Sequence, residues 1–336
     1  MRTKRASVLL ALAVAATACR APVELASERP IAAVESDADA DGDAAGAAPV
    51  GSSRPAGPLS ASYRGAAATP TGVVVPVLGR NAAGGWVVGT PCGRTGTVGN
   101  IRALTGTVVL DAGHGGKETG AIGPLGHQES GLNQAVVVHA RRALEAAGIP
   151  SVLTRTADYR IAITSRAAIV AAVKPKAVVS IHHNASSSRL QDGPGTEIFH
   201  QAVGVSAAES RRLAGLLYEE VTATLARYEV RKWAATPWAG VKPRRNSEGD
   251  DFYGILRRTQ GTPAALLEVG FISHKVEEEL YSRPAVQKAV GDAVARGVVR
   301  FLTTAEPGSG FINPPRMADD NRSGGGTEDC QDPPLG

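Results

Sequence analysis

Between about residue 107 and residue 302, apolar positions switch repeatedly between a spacing of two and a spacing of three to four. Residues 107–111 (Thr-Val-Val-Leu-Asp) read as a buried strand that ends in a Gly-rich turn. Leu132, Ala135, Val136, Val138 and Leu144 then recur at helical spacing, predicting a helix over 130–147 that Gly148 stops. Strands follow at 149–154, 177–182 and 195–200, with helices at 161–173 and 206–227. The apolar runs 252–257 and 264–269 read as two more strands, and 275–302 as one closing helix. Strands alternating with helices predict an α/β fold: a mainly parallel, twisted sheet with helices on both faces. In such a sheet the catalytic site is expected at the carboxyl ends of the strands.

The flanks read differently. Residues 20–70 are rich in Ala, Pro, Gly, Ser and Asp, a composition too poor in large apolar side chains to offset the entropy of ordering, so a disordered linker is expected. The same reasoning makes 304–336 a disordered tail, and places a domain over 106–303. Residues 71–105, where valine clusters alternate with Gly and Asn, predict two or three short strands in a small β-rich extension. Arg2, Lys4 and Arg5 precede an Ala/Leu/Val run that ends Ala16-Thr17-Ala18-Cys19, so 1–19 reads as an export signal, with Cys19 the expected lipid acceptor of a bacterial lipoprotein. Cleavage after Ala18 by an ordinary signal peptidase fits the same residues. With Cys19 so used, Cys92 and Cys330 remain as a possible disulfide in an oxidising compartment. The formal charge of +4 divides into +3 over 1–19, −3 over 20–70, +8 over 71–303 and −4 over 304–336. A basic folded region suits an anionic polymer. An exported chain with 4% aromatic residues and no nucleic-acid-binding motif argues against nucleic acid as that polymer.

Four polar residues fall at the strand ends this pattern predicts. His114 follows the first strand, Glu129 opens the first helix, His182 ends the third strand, and Glu268 interrupts the apolar run 263–271. Two imidazoles and a carboxylate are the ligand set of a catalytic zinc that keeps a position open, and a further carboxylate can serve as its general base. A carboxylate inside an apolar strand is costly unless paired or functional. His127 stands close enough to Glu129 to compete as a ligand. His182 and His183 point to opposite faces of their strand, and spacing alone does not choose between them. His139, His200 and His274 lack such context and read as structural or solvated. The turn 113–117 fails as a phosphate loop because Asp111 and Glu118 occupy positions that need Gly and Ser or Thr. His-Glu-x-x-His is absent from the sequence, and a glycosidase carboxylate pair is too unspecific to weigh.

Four segments carry a resemblance to a known family: Val-Leu-Asp-Ala-Gly-His-Gly-Gly (109–116), Gln-Glu-Ser-Gly-Leu-Asn (128–133), Ser-Ile-His-His-Asn-Ala (180–185) and Leu-Glu-Val-Gly-Phe-Ile-Ser (267–273). Over about 106–303 the chain resembles the zinc-dependent N-acetylmuramoyl-L-alanine amidases of the amidase 3 type. The resemblance implies Zn2+ held by His114, Glu129 and His182, Glu268 as catalytic carboxylate, and peptidoglycan as substrate. The family usually has Ala where His183 stands, which favours His182 as ligand and leaves the role of His183 open. Ser130, where the family has Asp, is a milder departure. Asn184 is a candidate to orient a ligand, and Arg257 and Arg258 are candidates to meet substrate carboxylates. The segment between His182 and Glu268 leaves no room for the inhibitory helix of some relatives, so an enzyme without that plug is expected. Other readings are a zinc peptidase of the stem peptide or a wall-binding module without catalysis. Lipidated Cys19 would put the enzyme in the cell envelope on a linker of roughly 40 Å typical span.

Overall fold

The computed structural model describes residues 62–186, 195–228, 235–313 and 329–336, and the backbone alone at 191–192, 234 and 316–317. The expected export signal, its Cys19 and the linker up to residue 61 lie outside the described residues. No helix among the described residues is long and apolar enough to cross a membrane.

An antiparallel sheet of order β4-β3-β2-β1-β5 comes first: β1 (Gly65–Ala68), β2 (Val74–Arg80), β3 (Trp86–Gly89), β4 (Thr95–Val98) and β5 (Arg102–Leu104). It has more strands than the valine clusters predict, and it begins inside the stretch expected as linker. Composition misleads there because Ala67 is small enough to lie opposite Val75 in the ladder, where both are fully buried.

The larger sheet, with its helices and connections, runs β6 (Val108–Ala112), α1 (Glu129–Ala146), β7 (Ser151–Leu153), α2 (Ile163–Val173), β8 (Ala177–Asn184), β9 (Gln191–Asp192), β10 (Glu197–His200), α3 (Ala207–Leu225), β11 (Ala234–Ala235), β12 (Gly240–Lys242), β13 (Arg244–Arg245), α4 (Gly254–Arg257), β14 (Ala264–Phe271), α5 (Lys275–Tyr281), α6 (Pro284–Thr303) and β15 (Arg316–Met317). Six of these strands form a sheet of order β12-β10-β14-β8-β6-β7, while β9 pairs with β11 and β13 with β15. Every pairing in the six-stranded sheet is parallel except β10 with β14. This is the expected α/β fold, with helices on both faces.

Alternation along the strands sorts their side chains. Leu110, Val179, Ile181 and Leu267 pack in one cluster with residues of α1, α3 and α6. Val109, Val178, Leu266 and Phe199 face the other way, toward residues of α2 and α4. Each fully buried Leu or Ile of these layers contributes roughly 1.5–3 kcal/mol by leaving water.

Three further expectations fail. Residues 252–257 are not a strand: Arg257 N–H donates to Tyr253 O and Arg258 N–H to Gly254 O, closing the turns of α4. The apolar run packs side-on instead, with Tyr253 4.7 Å from Phe199 between ring centroids. The single helix expected over 275–302 is two, because Pro284 holds Arg283 extended and starts α6 afresh. The end of the chain is ordered where it is described. Residues 310–312 hydrogen-bond to Val241 and cover the open edge of β12. Cys330 is disulfide-bonded to Cys92, Asp332 pairs with Arg94, and Leu335 packs against the buried valines of the N-terminal sheet. The disulfide is the pairing that the cysteine count left possible, whereas the edge pairing is a long-range effect that composition does not register.

Candidate metal centre

The turn after β6 is shaped by contact with its neighbours. Gly113 N–H donates to Ile181 O across the ladder, and a Cβ at Gly113 would lie 2.0 Å from His182 Cε1, so only glycine lets the His182 ring pass. His114 itself adopts a left-handed backbone, φ 58°, an uncommon state for a residue with a side chain. Two buried arginines hold it there. Arg155 donates to Ala112 O, Gly113 O and Ser130 O, and Arg166 donates to Ala112 O and His114 O while pairing with Asp111 at 2.6 Å. Asp111 also accepts from Thr154 and Ser180. Burial alone would raise the Asp111 carboxyl, but Arg166 and the two hydroxyls bring it below its ordinary value. The turn is therefore fixed by saturating its carbonyls with donors that cannot leave.

Into this frame come His114, Glu129 and His182, all buried, whose ligand atoms lie within 4.8 Å of one another. Glu129 Oε1 is 3.2 Å from His114 Nε2 and 3.0 Å from His182 Nδ1, and the two rings meet edge-on with centroids 5.0 Å apart. Glu129 Oε2 accepts from Ala121 N–H at 3.0 Å. Burial pushes the Glu129 carboxyl up, but the flanking imidazoles outweigh it and hold the group well below the usual carboxylate range. A buried anion between two imidazoles is a site whose charge a divalent cation satisfies. Two nitrogens and one carboxylate oxygen from separate elements fit a tetrahedral ion with its fourth position open. His114 is oriented from behind by Glu118, whose Oε1 lies 3.2 Å from Nδ1 and whose Oε2 pairs with Arg160 at 3.0 Å. Such a carboxylate fixes the ring and its tautomer for a metal at Nε2.

Glu268 stands beside this group. In the parallel pairing of β14 with β8 it is the register partner of His182, so both side chains leave the same face on strands about 4.8 Å apart. A register shift follows immediately, between Glu268 and Phe271. Bulges at such points turn a side chain away from the regular pleat. On its other side Glu268 pairs with Glu197 of β10. The Glu197 carboxylate is buried with Lys242 at 2.8 Å and accepts from Thr236 and Asn184. The second acid next to Glu268 thus has its charge matched by a fixed cation.

The structure brings His114, Glu129, His182 and Glu268 to one rim. Of the two adjacent histidines, His182 lies in this group. His183 points to the other face, stacks near Tyr281 with centroids 5.2 Å apart, and its Nδ1 lies 2.8 Å from Asn133 Oδ1. Burial pushes the His183 imidazole down to about 4, so it is neutral at ordinary pH. His127 is drawn away by Glu278, 3.1 Å from its Nδ1, and does not join the cluster. Asn184 spends its amide on Glu197 rather than on a member of the cluster. Arg257 is placed elsewhere. It caps the loop carbonyls of Asp251 and Phe252, on the short α4 whose Leu256 O accepts from Gln201 beyond the opposite end of β10. Because Gly254–Arg257 is a helical turn and 252–257 is not a strand, Arg257 is not carried to this rim, and Arg258 lies beside it.

Sequence reading missed Glu118, Arg155, Arg166 and Glu197. Asn133 had a usable signal: it follows Glu129 by one helical turn, so both must share a helix face.

Known proteins share this part of the chain. A family model described as N-acetylmuramoyl-L-alanine amidase matches residues 108–300. YqiI of Bacillus subtilis (strain 168) is 31% identical over 192 residues, covering 57% of this chain and 82% of that protein. The N-acetylmuramoyl-L-alanine amidase AmiA of Escherichia coli (strain K12) is 28% identical over 221 residues, covering 58% and 75%. Among solved structures, Cwp6 from Clostridium difficile superposes with a TM-score of 0.52 at 27% identity, covering 60% of this chain and 30% of Cwp6. On the strength of a match spanning the whole of the larger sheet, the chain belongs to the amidase 3 family of N-acetylmuramoyl-L-alanine amidases.

Proposed function

We propose that this member of the amidase family hydrolyses the amide between the lactyl group of N-acetylmuramic acid and L-alanine in peptidoglycan, using zinc held by His114, Glu129 and His182. The observation that carries the reading is the buried group of three ligand side chains with Glu268 in register beside His182. When bound, the ion supplies Lewis acidity toward the scissile carbonyl and acidifies water.

The chain's own residues then divide the remaining work. Glu268 takes the proton of the attacking water and delivers it to the departing L-alanine nitrogen, as a positioned carboxylate can. Glu118 and Arg160 hold the His114 ring, and Arg155 and Arg166 hold the turn that carries it, so the ligands are set before substrate arrives. The Glu197–Lys242 pair places a fixed cation against the acid that neighbours Glu268. Export, with anchoring through Cys19, would deliver the enzyme to its polymer.

Metal analysis of the purified full-length chain, combined with mass spectrometry of digested muropeptides, tests this. About one equivalent of zinc and sugar strands freed of peptide are expected. Cleavage inside the stem peptide would replace the amidase reading with a peptidase, and chelator-resistant cleavage by metal-free protein would overturn the zinc assignment.

A further inference from the structure

Behind Glu129 lies a hydrogen-bond chain that the proposed mechanism leaves unused. Asn133 Nδ2 donates to Glu129 Oε1 at 3.2 Å and to Gly113 O at 3.3 Å. Both neighbours of that atom are acceptors only, so it must be the amide nitrogen, and Asn133 Oδ1 must face His183 Nδ1 at 2.8 Å. An amide oxygen can only accept, so His183 Nδ1 carries the proton. The imidazole is clamped on its far side by Tyr281, whose hydroxyl donates to Glu277 at 3.0 Å. The backbone N–H of His183 also donates to Glu129 Oε1, at 3.2 Å.

With the Asn133 amide turned over, its oxygen would meet the Glu129 carboxylate and its NH2 group would face Gly113 no longer. Among the described residues, the group that meets Asn133 Oδ1 from the rear is His183. We propose that His183 is a positioning residue of the metal centre: its Nδ1–H locks the Asn133 amide so that Nδ2 faces Glu129, and this fixes the carboxylate for the metal ion. The assignment rests on Glu129 being a metal ligand, and it gives a role to the histidine that occupies a place where alanine would leave the Asn133 amide without a rear contact.

The test is zinc affinity, measured on the full-length chain by competition with a chromophoric chelator, together with the visible absorption spectrum of the Co2+ form. His183→Leu keeps side-chain volume against Tyr281 but cannot donate, whereas His183→Asn places an amide NH2 near the position of Nδ1. His183→Leu is expected to weaken zinc binding roughly 10- to 100-fold and to alter the Co2+ spectrum, with His183→Asn restoring both toward wild type. Where His183→Leu lacks a cooperative melt, His183→Met, which also cannot donate, takes its place and must show the same weakening. Unchanged affinity in the Leu variant overturns the proposal while leaving the ligand assignment intact. Equal weakening in the Leu and Asn variants overturns it too, since packing rather than the donated proton would then be responsible. Wild-type protein that binds neither Zn2+ nor Co2+ removes the ligand assignment itself, and the role of His183 with it.

Discussion

The two sheets of this protein are stabilised by opposite means. The N-terminal sheet, outside the span matched by the family model, buries small and β-branched residues such as Ala67, Val75 and Val88, and is tied to the end of the chain by Cys92–Cys330. The carboxyl rim of the larger sheet buries Asp111, Glu129, His182, Glu197 and Glu268, groups that water would otherwise hold. There, stability depends on each charge meeting a partner of fixed position; in the N-terminal sheet it depends on area and a covalent link. The regions meet where Tyr159 and Ile161, just past Arg155, join the N-terminal cluster, and where Ser165 donates to Thr90 O. The appended sheet therefore backs the loop that supports the His114 turn.

Breaking the polar rim should show the larger effects. Glu268→Gln is expected to lower kcat about 10²- to 10⁴-fold with zinc content unchanged, the range a general acid–base residue contributes; near-normal turnover would mean another group moves the proton. Arg166→Met, which strands Asp111 and removes a donor from His114 O, should cost about 3–5 kcal/mol in urea unfolding. On the other side of the comparison, Cys330→Ala should cost about 2–4 kcal/mol while leaving kcat within a factor of two, because neither cysteine belongs to the group of proposed ligands. A loss of activity as large as that of Glu268→Gln would show that the two regions are not separable.

The smallest effect is a pH dependence. His183 ordinarily titrates near 6.5, and burial pushes it down to about 4. Between those values the unfolded chain takes up a proton that the folded one refuses. Its contribution is fully present above pH 6.5 and is lost as pH falls toward 4, by at most about 3 kcal/mol. Urea midpoints of metal-free wild type and His183→Leu, compared from pH 7 to 4, should converge toward the acid end. Parallel curves would show that His183 does not titrate this way.

Much of this was legible in the chain. Period-two and helical spacing locate β6, α1, β8, α3 and β14, and the strand-end rule places His114, His182 and Glu268 on one rim. What failed was whatever depends on a distant partner. Phe252 and Tyr253 are as apolar as a strand residue, and only the sheet above them shows that they pack from outside. His127 looks as available as His114 until Glu278 is found beside it. Arg166 is an ordinary charge on an amphipathic helix unless one knows that Asp111 is buried opposite. Pro284, by contrast, was a local signal that the apolar spacing around it overrode.

The extra residue between Glu268 and Phe271 has a consequence for how this protein can change length. Upstream, β14 keeps strict step with β8, so gaining or losing one residue there would turn Glu268 to the face of α1 and leave His182 without its neighbour. Downstream, the step is already broken, and a one-residue change could be absorbed in the loop toward α5. Natural or engineered variation in chain length should therefore be found on the far side of that kink and not on the near one.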